Sequence, residues 1–126
     1  MRETIFSENA PKPIGPYSQA VRSGNTIYFS GQIGLDPQTG QFVSETDVVA
    51  QTHQVMKNIS ALLETCGANY SNIVKTSIFL KDMNDFPKVN DAYATYFDAV
   101  FPARETVEVS RLPKDALVEI SVIVVL

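Results

Sequence analysis

The sequence predicts an α+β domain: a mixed β-sheet with two helices packed on one of its faces. The order of apolar patterns along the chain is strands, helix, strand, helix and strands, which is typical of a two-layer arrangement. The length of 126 residues, with 44% apolar and 19% charged residues, is that of a single globular domain. No repeat, low-complexity stretch or linker divides the chain, so we expect one domain over residues 1–126.

The first third of the chain predicts three strands connected by turns. We expect these strands at residues 2–6, 19–22 and 26–32. A loop rich in proline, residues 9–16, separates the first two, and Ser23-Gly24-Asn25 connects the next two. Asp36-Pro37-Gln38-Thr39-Gly40 then predicts a tight turn.

A long helix is predicted after Asp47, whose side chain suits an N-cap, and Gly67 is well placed to end it. Its apolar stripe recurs at steps of three and four residues: Val48, Thr52, Val55, Ile59, Leu62 and Cys66. A strand at 73–80 and a second helix at about 84–98 follow. After Pro102, two last strands are expected at 106–110 and 117–125.

The last strand carries apolar side chains on both of its faces. Val118, Ile120, Val122 and Val124 lie on one side, and Leu117, Ile123 and Val125 lie on the other. The helices can cover only one face of the sheet, so the second face predicts contact with another subunit. We therefore expect a homo-oligomer.

Composition excludes several classes of protein. A net charge of −4 and a pI of about 4.8 offer no basic surface for nucleic acid. The first residues lack an apolar signal core, and the longest largely apolar run, residues 120–126, is too short to span a bilayer. Cys66 is the only cysteine, so no intrachain disulfide can form. We expect a cytoplasmic protein without a membrane or nucleic-acid partner.

Two charged residues are candidates for chemistry. Glu119 is the only charge in residues 117–126, so it is either exposed to solvent or poised in a pocket where it can orient or deprotonate water. Arg104 follows Pro102-Ala103 at the entry to a strand. Its guanidinium can bind a carboxylate with two parallel hydrogen bonds, and an ordinary surface salt bridge is the alternative.

The expected positions of these two residues favour a site between subunits. If strands 106–110 and 117–125 form an antiparallel hairpin, Glu108 lies opposite Glu119. Arg104 is then about 13 Å from Glu119 along the sheet. One subunit could not bring both side chains to one small substrate, whereas two neighbouring subunits could.

Other polar residues are weaker candidates. Tyr17 follows the rigid Ile14-Gly15-Pro16 turn, and Ser30-Gly31 at a strand end can present a backbone N–H to a ligand. Asn90 lies on the apolar stripe of the second helix and needs a partner. His53 has no second histidine with which to form a metal site, and Cys66 has no neighbouring ligand pattern. The sequence has no Walker loop and no GxGxxG, so neither a metal nor an organic cofactor is expected.

Motifs along nearly the whole chain resemble those of one family. They include Ile14-Gly15-Pro16-Tyr17-Ser18-Gln19-Ala20, Ser30-Gly31-Gln32-Ile33, Phe79-Leu80-Lys81-Asp82-Met83, Val89-Asn90, Pro102-Ala103-Arg104 and Arg111-Leu112-Pro113-Lys114. In this order they are similar to the Rid family of reactive-intermediate deaminases, most closely its RidA subgroup, also called the YjgF family.

The resemblance implies a chorismate-mutase-like fold and a homotrimer with sites between its subunits. It implies hydrolysis of 2-imino or enamine acids, released by pyridoxal-phosphate enzymes, to 2-keto acids and ammonia, without a metal or cofactor. In that reaction Arg104 would bind the substrate carboxylate, and Glu119 would position the water with help from Tyr17. Ser30, the backbone at Gly31 and Asn90 would complete the pocket.

Two positions depart from the family pattern. Thr106 stands where close relatives often have cysteine, which removes thiol chemistry from the site and bears on substrate preference. Gly34 stands where proline often follows Ser-Gly-Gln-Ile. Neither removes a proposed catalytic group.

Three other functions remain open at this stage. The same Arg104 pocket would serve a non-catalytic trimer that binds small carboxylates or a regulatory partner, and Glu119 favours the enzyme over that module. Endoribonuclease activity, associated with the wider family, is disfavoured by the acidic charge and the single histidine. Chaperone-like binding through apolar surface would not depend on Arg104.

Overall fold

One mixed sheet of six strands organises the fold of the computed structural model. The model describes residues 2–126, and Met1, the first residue of the predicted domain, lies outside the described residues. The strands are β1 (Arg2–Ile5), β2 (Ala20–Ser23), β3 (Thr26–Phe29), β4 (Ile73–Leu80), β5 (Ala103–Glu108) and β6 (Val118–Val125). The helices are α1 (Val48–Thr65) and α2 (Phe86–Ala94). The strand order across the sheet is β1-β2-β3-β6-β4-β5.

Helix α1 begins and ends where the sequence predicts. Asp47 Oδ1 accepts hydrogen bonds from the N–H groups of Val49 and Ala50, at 3.0 and 3.2 Å, which caps the first turn. Gly67 has a φ of 72° and lets the chain leave the helix in the left-handed region. The predicted stripe is buried from Val48 to Leu62, whereas Cys66 at the C-cap is only half-buried.

Helix α2 is shorter than predicted at both ends. The Asp82 side chain accepts from Asn84 N–H and closes a 3₁₀ turn, Met83–Asp85, so the α-helix begins only at Phe86. At the other end the Thr95 hydroxyl donates to Ala92 O at 2.6 Å. This local bond competes with continued helix, and α2 ends at Ala94.

The two helices cover one face of the sheet, as predicted. Alternate residues of β6 point into the core beneath them: Val118, Ile120, Val122 and Val124. On the opposite face Tyr28 is half-exposed, and Phe79 and Ile123 are only partly buried. Within residues 2–126 no second layer covers that face.

The predicted hairpin between the last two strands is wrong. Strand β5 pairs in parallel with β4, with Arg104 opposite Thr76, and β6 lies antiparallel between β3 and β4. Charge explains the difference. Three of the six residues of β5 are charged and the strand is largely exposed, which suits a sheet edge. Strand β6 has Glu119 as its only charge and suits the centre.

Several strand bounds also shift. Strand β3 ends at Phe29 rather than at Gln32, which forms only an isolated bridge to Ile120. Strand β5 covers Ala103–Glu108 instead of 106–110, so Arg104 lies within the strand rather than before it.

Neither helix of the described residues has both the length and the hydropathy needed to cross a bilayer.

Candidate functional site

Glu119 lies at the start of β6, against the backbone of Gly31. The bridge between Gln32 and Ile120, with N–H···O distances of 2.8 and 3.1 Å, brings the two segments together. A Cβ added at Gly31 would lie 2.7 Å from Glu119 Cδ, so only glycine leaves room for the carboxylate there. Burial raises the pKa of the Glu119 carboxyl above its ordinary value.

Ser30 fixes the neighbouring loop. Its N–H donates to Gln19 O at 2.9 Å, and its hydroxyl donates to Ser18 O at 2.6 Å. The Ser30 side chain, predicted to bind substrate, therefore holds the segment that carries Tyr17. The Tyr17 ring itself is half-exposed, and its N–H donates to Gly15 O at 2.9 Å.

Gln19 anchors the start of the loop before Tyr17, a role that the sequence analysis missed. Its buried side chain accepts from Ser7 N–H at 2.7 Å and donates to Ser7 O at 3.0 Å and to Pro11 O at 2.9 Å. The available signal was a glutamine directly beside a proline-rich loop, whose backbone groups have few partners of their own. Gly31 lies against Glu119, and Ser30 bonds the residue that follows Tyr17; we call Tyr17, Ser30, Gly31 and Glu119 the glutamate half-site.

Arg104 and Asn90 lie together elsewhere, on the helix face of the sheet. Arg104 Nη1 donates to Asn90 Oδ1 at 2.7 Å. The Arg104 guanidinium carbon also lies 5.4 Å from the ring centroids of both Phe86 and Tyr93, within cation–π distance. The ion pairs within residues 2–126 are Lys75–Glu105 and Arg111–Asp115, so Arg104 has no carboxylate partner in that part of the chain.

A pocket of about 420 Å³ opens beside Arg104, within the size range of small-molecule sites. Its wall is formed by Asn90, Tyr93, Ala94, Phe101, Pro102 and Arg104. The Tyr93 hydroxyl is 2.9 Å from the Thr76 hydroxyl, and burial raises the pKa of the Tyr93 phenol. Arg104 and Asn90, with this wall, form the arginine half-site.

The two half-sites do not meet within one chain. Arg104 is opposite Thr76 and Glu119 is opposite Phe79, so they are separated by two strand spacings and three residues along the sheet. This separation is about 14 Å between Cα atoms. The side chains also lie on opposite faces, because Arg104 contacts α2 whereas Glu119 alternates with the core residues Val118 and Ile120. The expected separation holds, although the hairpin on which it was based does not exist.

Comparison with known proteins establishes the family. The sequence profile described as endoribonuclease L-PSP matches residues 7–126. A RutC family protein of Pyrococcus horikoshii is 55% identical over 98% of this chain and 97% of its own length. The 2-iminobutanoate/2-iminopropanoate deaminase of Escherichia coli is 49% identical over 99% of this chain and 98% of its own length.

The chain belongs to the endoribonuclease L-PSP family, the Rid family.

Structural comparison agrees with this membership in the Rid family. The crystal structure of a Rid family protein from Yersinia pestis superimposes with a TM-score of 0.96, at 50% identity and full coverage of both chains. The resemblance to the Rid family and the α+β fold are therefore confirmed. The roles of the individual site residues stay predictions.

Gly34, one of the two departures from the Rid pattern, has a clear structural role. A Cβ at Gly34 would lie 2.8 Å from Gln51 Cα, so α1 packs directly on the Gly34 backbone. This approach lets Gln51 Oε1 accept from Leu117 N–H at 2.9 Å, and Gln51 Nε2 donates to Ser44 O at 2.8 Å. Gly34 thereby helps to fix the chain just before β6, which carries Glu119.

Thr106, the second departure, has an unpaired hydroxyl. Within residues 2–126 its Oγ1 is the buried side-chain polar atom without a hydrogen-bond partner. The alternation of β5 places Thr106 on the same face as Arg104.

The remaining candidates have structural roles. His53 Nδ1 is 2.6 Å from the Tyr96 hydroxyl, in a cluster of aromatic rings. Burial raises the pKa of the half-buried Cys66 thiol, which disfavours the reactive thiolate. In residues 2–126 no three His, Cys, Asp or Glu side chains come together as a metal site.

Proposed function

We propose that this protein hydrolyses 2-imino acids, and the enamines that tautomerise to them, to 2-keto acids and ammonia. Arg104 binds the substrate carboxylate, and Glu119 orients and deprotonates the attacking water with help from Tyr17. The site combines the arginine half-site of one subunit with the glutamate half-site of its neighbour in a homotrimer. Two relatives, the 2-iminobutanoate/2-iminopropanoate deaminases of Escherichia coli and Mus musculus at 49% and 47% identity, support this reaction.

The observation that carries the proposal is the unpaired Arg104 guanidinium at the wall of a pocket. A guanidinium has five N–H donors, and Arg104 uses one of them on Asn90. The remaining donors and the full positive charge are available to a planar carboxylate. Phe101 and Pro102 on the same wall provide apolar surface for a short aliphatic side chain.

The chemistry needs little more than orientation and one proton carrier. Water adds to C2 of the protonated imine, and the Glu119 carboxylate takes the proton that this water loses, which gives a neutral carbinolamine. The protonated carboxyl then gives this proton to the carbinolamine nitrogen. As the C–N bond breaks, the carbinolamine hydroxyl passes its proton to the departing ammonia, which leaves the keto acid and ammonium. A pKa raised by burial makes the Glu119 carboxylate a better base than an exposed glutamate.

The separation of the half-sites supports a shared site. Arg104 and Glu119 lie about 14 Å apart on opposite faces of one sheet, too far to act on one small molecule. The sheet face that carries Glu119 has no cover within residues 2–126 and exposes apolar side chains such as Tyr28 and Val125. A closed ring of subunits covers this face and brings a neighbour's Arg104 to each Glu119.

We also propose a cytoplasmic location and a role in clearing reactive imines. The single cysteine, which allows no intrachain disulfide, is consistent with a reducing compartment. The acidic net charge of −4 favours a small-molecule substrate over RNA.

The test is the release of keto acid from freshly generated 2-iminobutanoate. We expect wild type to accelerate it over the spontaneous reaction, and Arg104→Ala and Glu119→Gln to lose about a hundredfold or more in kcat/KM. Arg22→Ala and Glu64→Gln, which remove the same charges far from the site, serve as matched controls.

No acceleration by a properly assembled wild type would reject the hydrolase. Retained binding of 2-oxobutanoate in that case would identify a carboxylate-binding module instead.

A further inference from the structure

The arginine half-site contains more than one residue that touches Arg104. Phe86, Asn90 and Tyr93 are spaced four and three residues apart on α2, so they lie on one face of that helix. All three contact the Arg104 guanidinium: Asn90 by a hydrogen bond, and the two rings at 5.4 Å from Cζ. Three contacts from one helix face constrain a side chain that otherwise has many rotamers.

The ring of Tyr93 is itself held in place. Tyr93 is buried, and its hydroxyl bonds the hydroxyl of Thr76, the residue opposite Arg104 on β4. Thr76 in the sheet core therefore holds Tyr93, and the Tyr93 ring in turn contacts the Arg104 guanidinium.

Asn90 offers a neutral acceptor to the guanidinium. Its Oδ1 orients Nη1 without cancelling the positive charge, so the charge stays available for a ligand. An aspartate at the same place would accept the same hydrogen bond but would neutralise Arg104 as an ion pair. A neutral amide therefore suits a residue that positions Arg104 and leaves its charge for the ligand.

We propose that Phe86, Asn90 and Tyr93 form a clamp that positions the Arg104 guanidinium for the substrate carboxylate. Asn90 then affects substrate binding only through Arg104. The sequence instead predicts that Asn90 contacts the substrate as part of the pocket. The proposal of this clamp rests on the proposed function, because it assumes that Arg104 binds a carboxylate. The clamp adds Phe86 to that site and gives Asn90 and Tyr93 a positioning role there.

The first experiment measures the Kd of 2-oxobutanoate for the assembled protein by calorimetry, without turnover. Asn90→Asp should weaken binding about tenfold or more, because the new carboxylate occupies the guanidinium. Lys88→Gln is the matched control, since it changes the net charge equally at an exposed position of the same helix. It should leave Kd unchanged. Asn90→Asp with wild-type affinity would overturn the clamp, as would a wild type that binds no carboxylate.

A double-mutant cycle separates positioning from direct contact. Asn90→Ala should weaken binding about fivefold with Arg104 present and have no further effect in Arg104→Lys, which lacks the planar fork. Equal losses in both backgrounds would mean that Asn90 contacts the ligand independently, and would overturn the proposal.

The rings are tested by a pair of variants. Phe86→Leu should weaken binding about threefold through loss of the cation–π contact. Tyr93→Phe keeps the ring and should change Kd less than Phe86→Leu does. Phe86→Leu at wild-type affinity would remove Phe86 from the clamp and overturn the proposal as stated.

The two proposals fail in different ways. A wild type that binds 2-oxobutanoate with the expected Asn90–Arg104 coupling but hydrolyses no imine rejects the deaminase and keeps the clamp. A wild type that hydrolyses 2-iminobutanoate while Asn90 and Arg104 act independently keeps the deaminase and rejects the clamp.

Discussion

Glu119 lies where its carboxylate loses part of its hydration, against a backbone that tolerates no side chain at Gly31. Sequence reasoning could select Glu119 and Arg104 as candidates, because a charge in an apolar strand and an arginine at a strand entry can be recognised without the fold. It could not identify the partner of Asn90 or the task of Gln19. Both depend on which loop or strand lies beside them after folding.

The raised pKa of Glu119 predicts a pH-dependent stability. The native state binds the Glu119 proton more tightly than the unfolded state does. The free energy of unfolding therefore falls as pH rises from the ordinary glutamate pKa through the raised pKa of the folded state. Glu119→Gln should therefore raise the Tm near pH 7 and have little effect at pH values below the ordinary pKa of glutamate. Thermal unfolding at both pH values checks this, with Glu64→Gln as the exposed control. A gain that does not depend on pH would contradict it.

Thr106 and Thr76 form a matched pair for testing buried hydroxyls. Thr106 Oγ1 has no partner, whereas Thr76 Oγ1 bonds the Tyr93 hydroxyl at 2.9 Å. We expect Thr76→Val to lower the free energy of unfolding by about 1–2 kcal/mol, and Thr106→Val to leave it unchanged or raise it. Urea unfolding of both variants gives the comparison. A larger loss in Thr106→Val would indicate a partner for that hydroxyl, for example from a neighbouring subunit.

At the scale of elements, local signals were sufficient where a segment is fixed by its own residues. Helix α1 has its cap at Asp47 and its stop at Gly67, and β4 has the predicted bounds of 73–80. The neighbours of β5 and β6 could not be read this way, because consecutive strands usually pair and nothing local says that β4 separates them. The charge content of β5 was the signal that could have assigned it to the edge.

The loop before Tyr17 depends on a single side chain. Gln19→Leu removes the hydrogen bonds to Ser7 and Pro11, and it leaves the buried Ser7 N–H and the part-buried Pro11 carbonyl without this partner. We expect a loss of about 2–3 kcal/mol in the free energy of unfolding, measured in urea, and faster amide exchange in residues 7–17. Gln38→Leu, in the exposed turn at 36–40, is the control. Wild-type exchange in the loop would show that Gln19 does not anchor it.

At the scale of the whole molecule, the proposal that the two half-sites act together on one substrate predicts that only the oligomer is active. Neither variant, Arg104→Ala or Glu119→Ala, should be active alone, because every site in its oligomer lacks one residue. Oligomers that contain subunits of both variants should regain activity. In a closed ring with shared sites and random mixing, about a quarter of the sites are complete.

The measurement is keto acid release after the two inactive variants are unfolded and refolded together at equal concentration. Activity near a quarter of wild type supports sites shared between subunits. No recovery, with mixed oligomers verified by native mass spectrometry, would mean that each site is built from one chain.

The contact between Tyr93 and Arg104 also gives the protein an optical reporter. The chain has five tyrosines and no tryptophan, so tyrosine emission is not masked by the stronger fluorophore. One tyrosine belongs to each half-site: the Tyr93 ring lies 5.4 Å from the Arg104 guanidinium carbon, and Tyr17 precedes Ser18, whose carbonyl accepts a hydrogen bond from Ser30. Occupancy of the pocket can therefore be followed by ultraviolet fluorescence without a label, and Tyr17→Phe and Tyr93→Phe assign the signal to one half-site or the other.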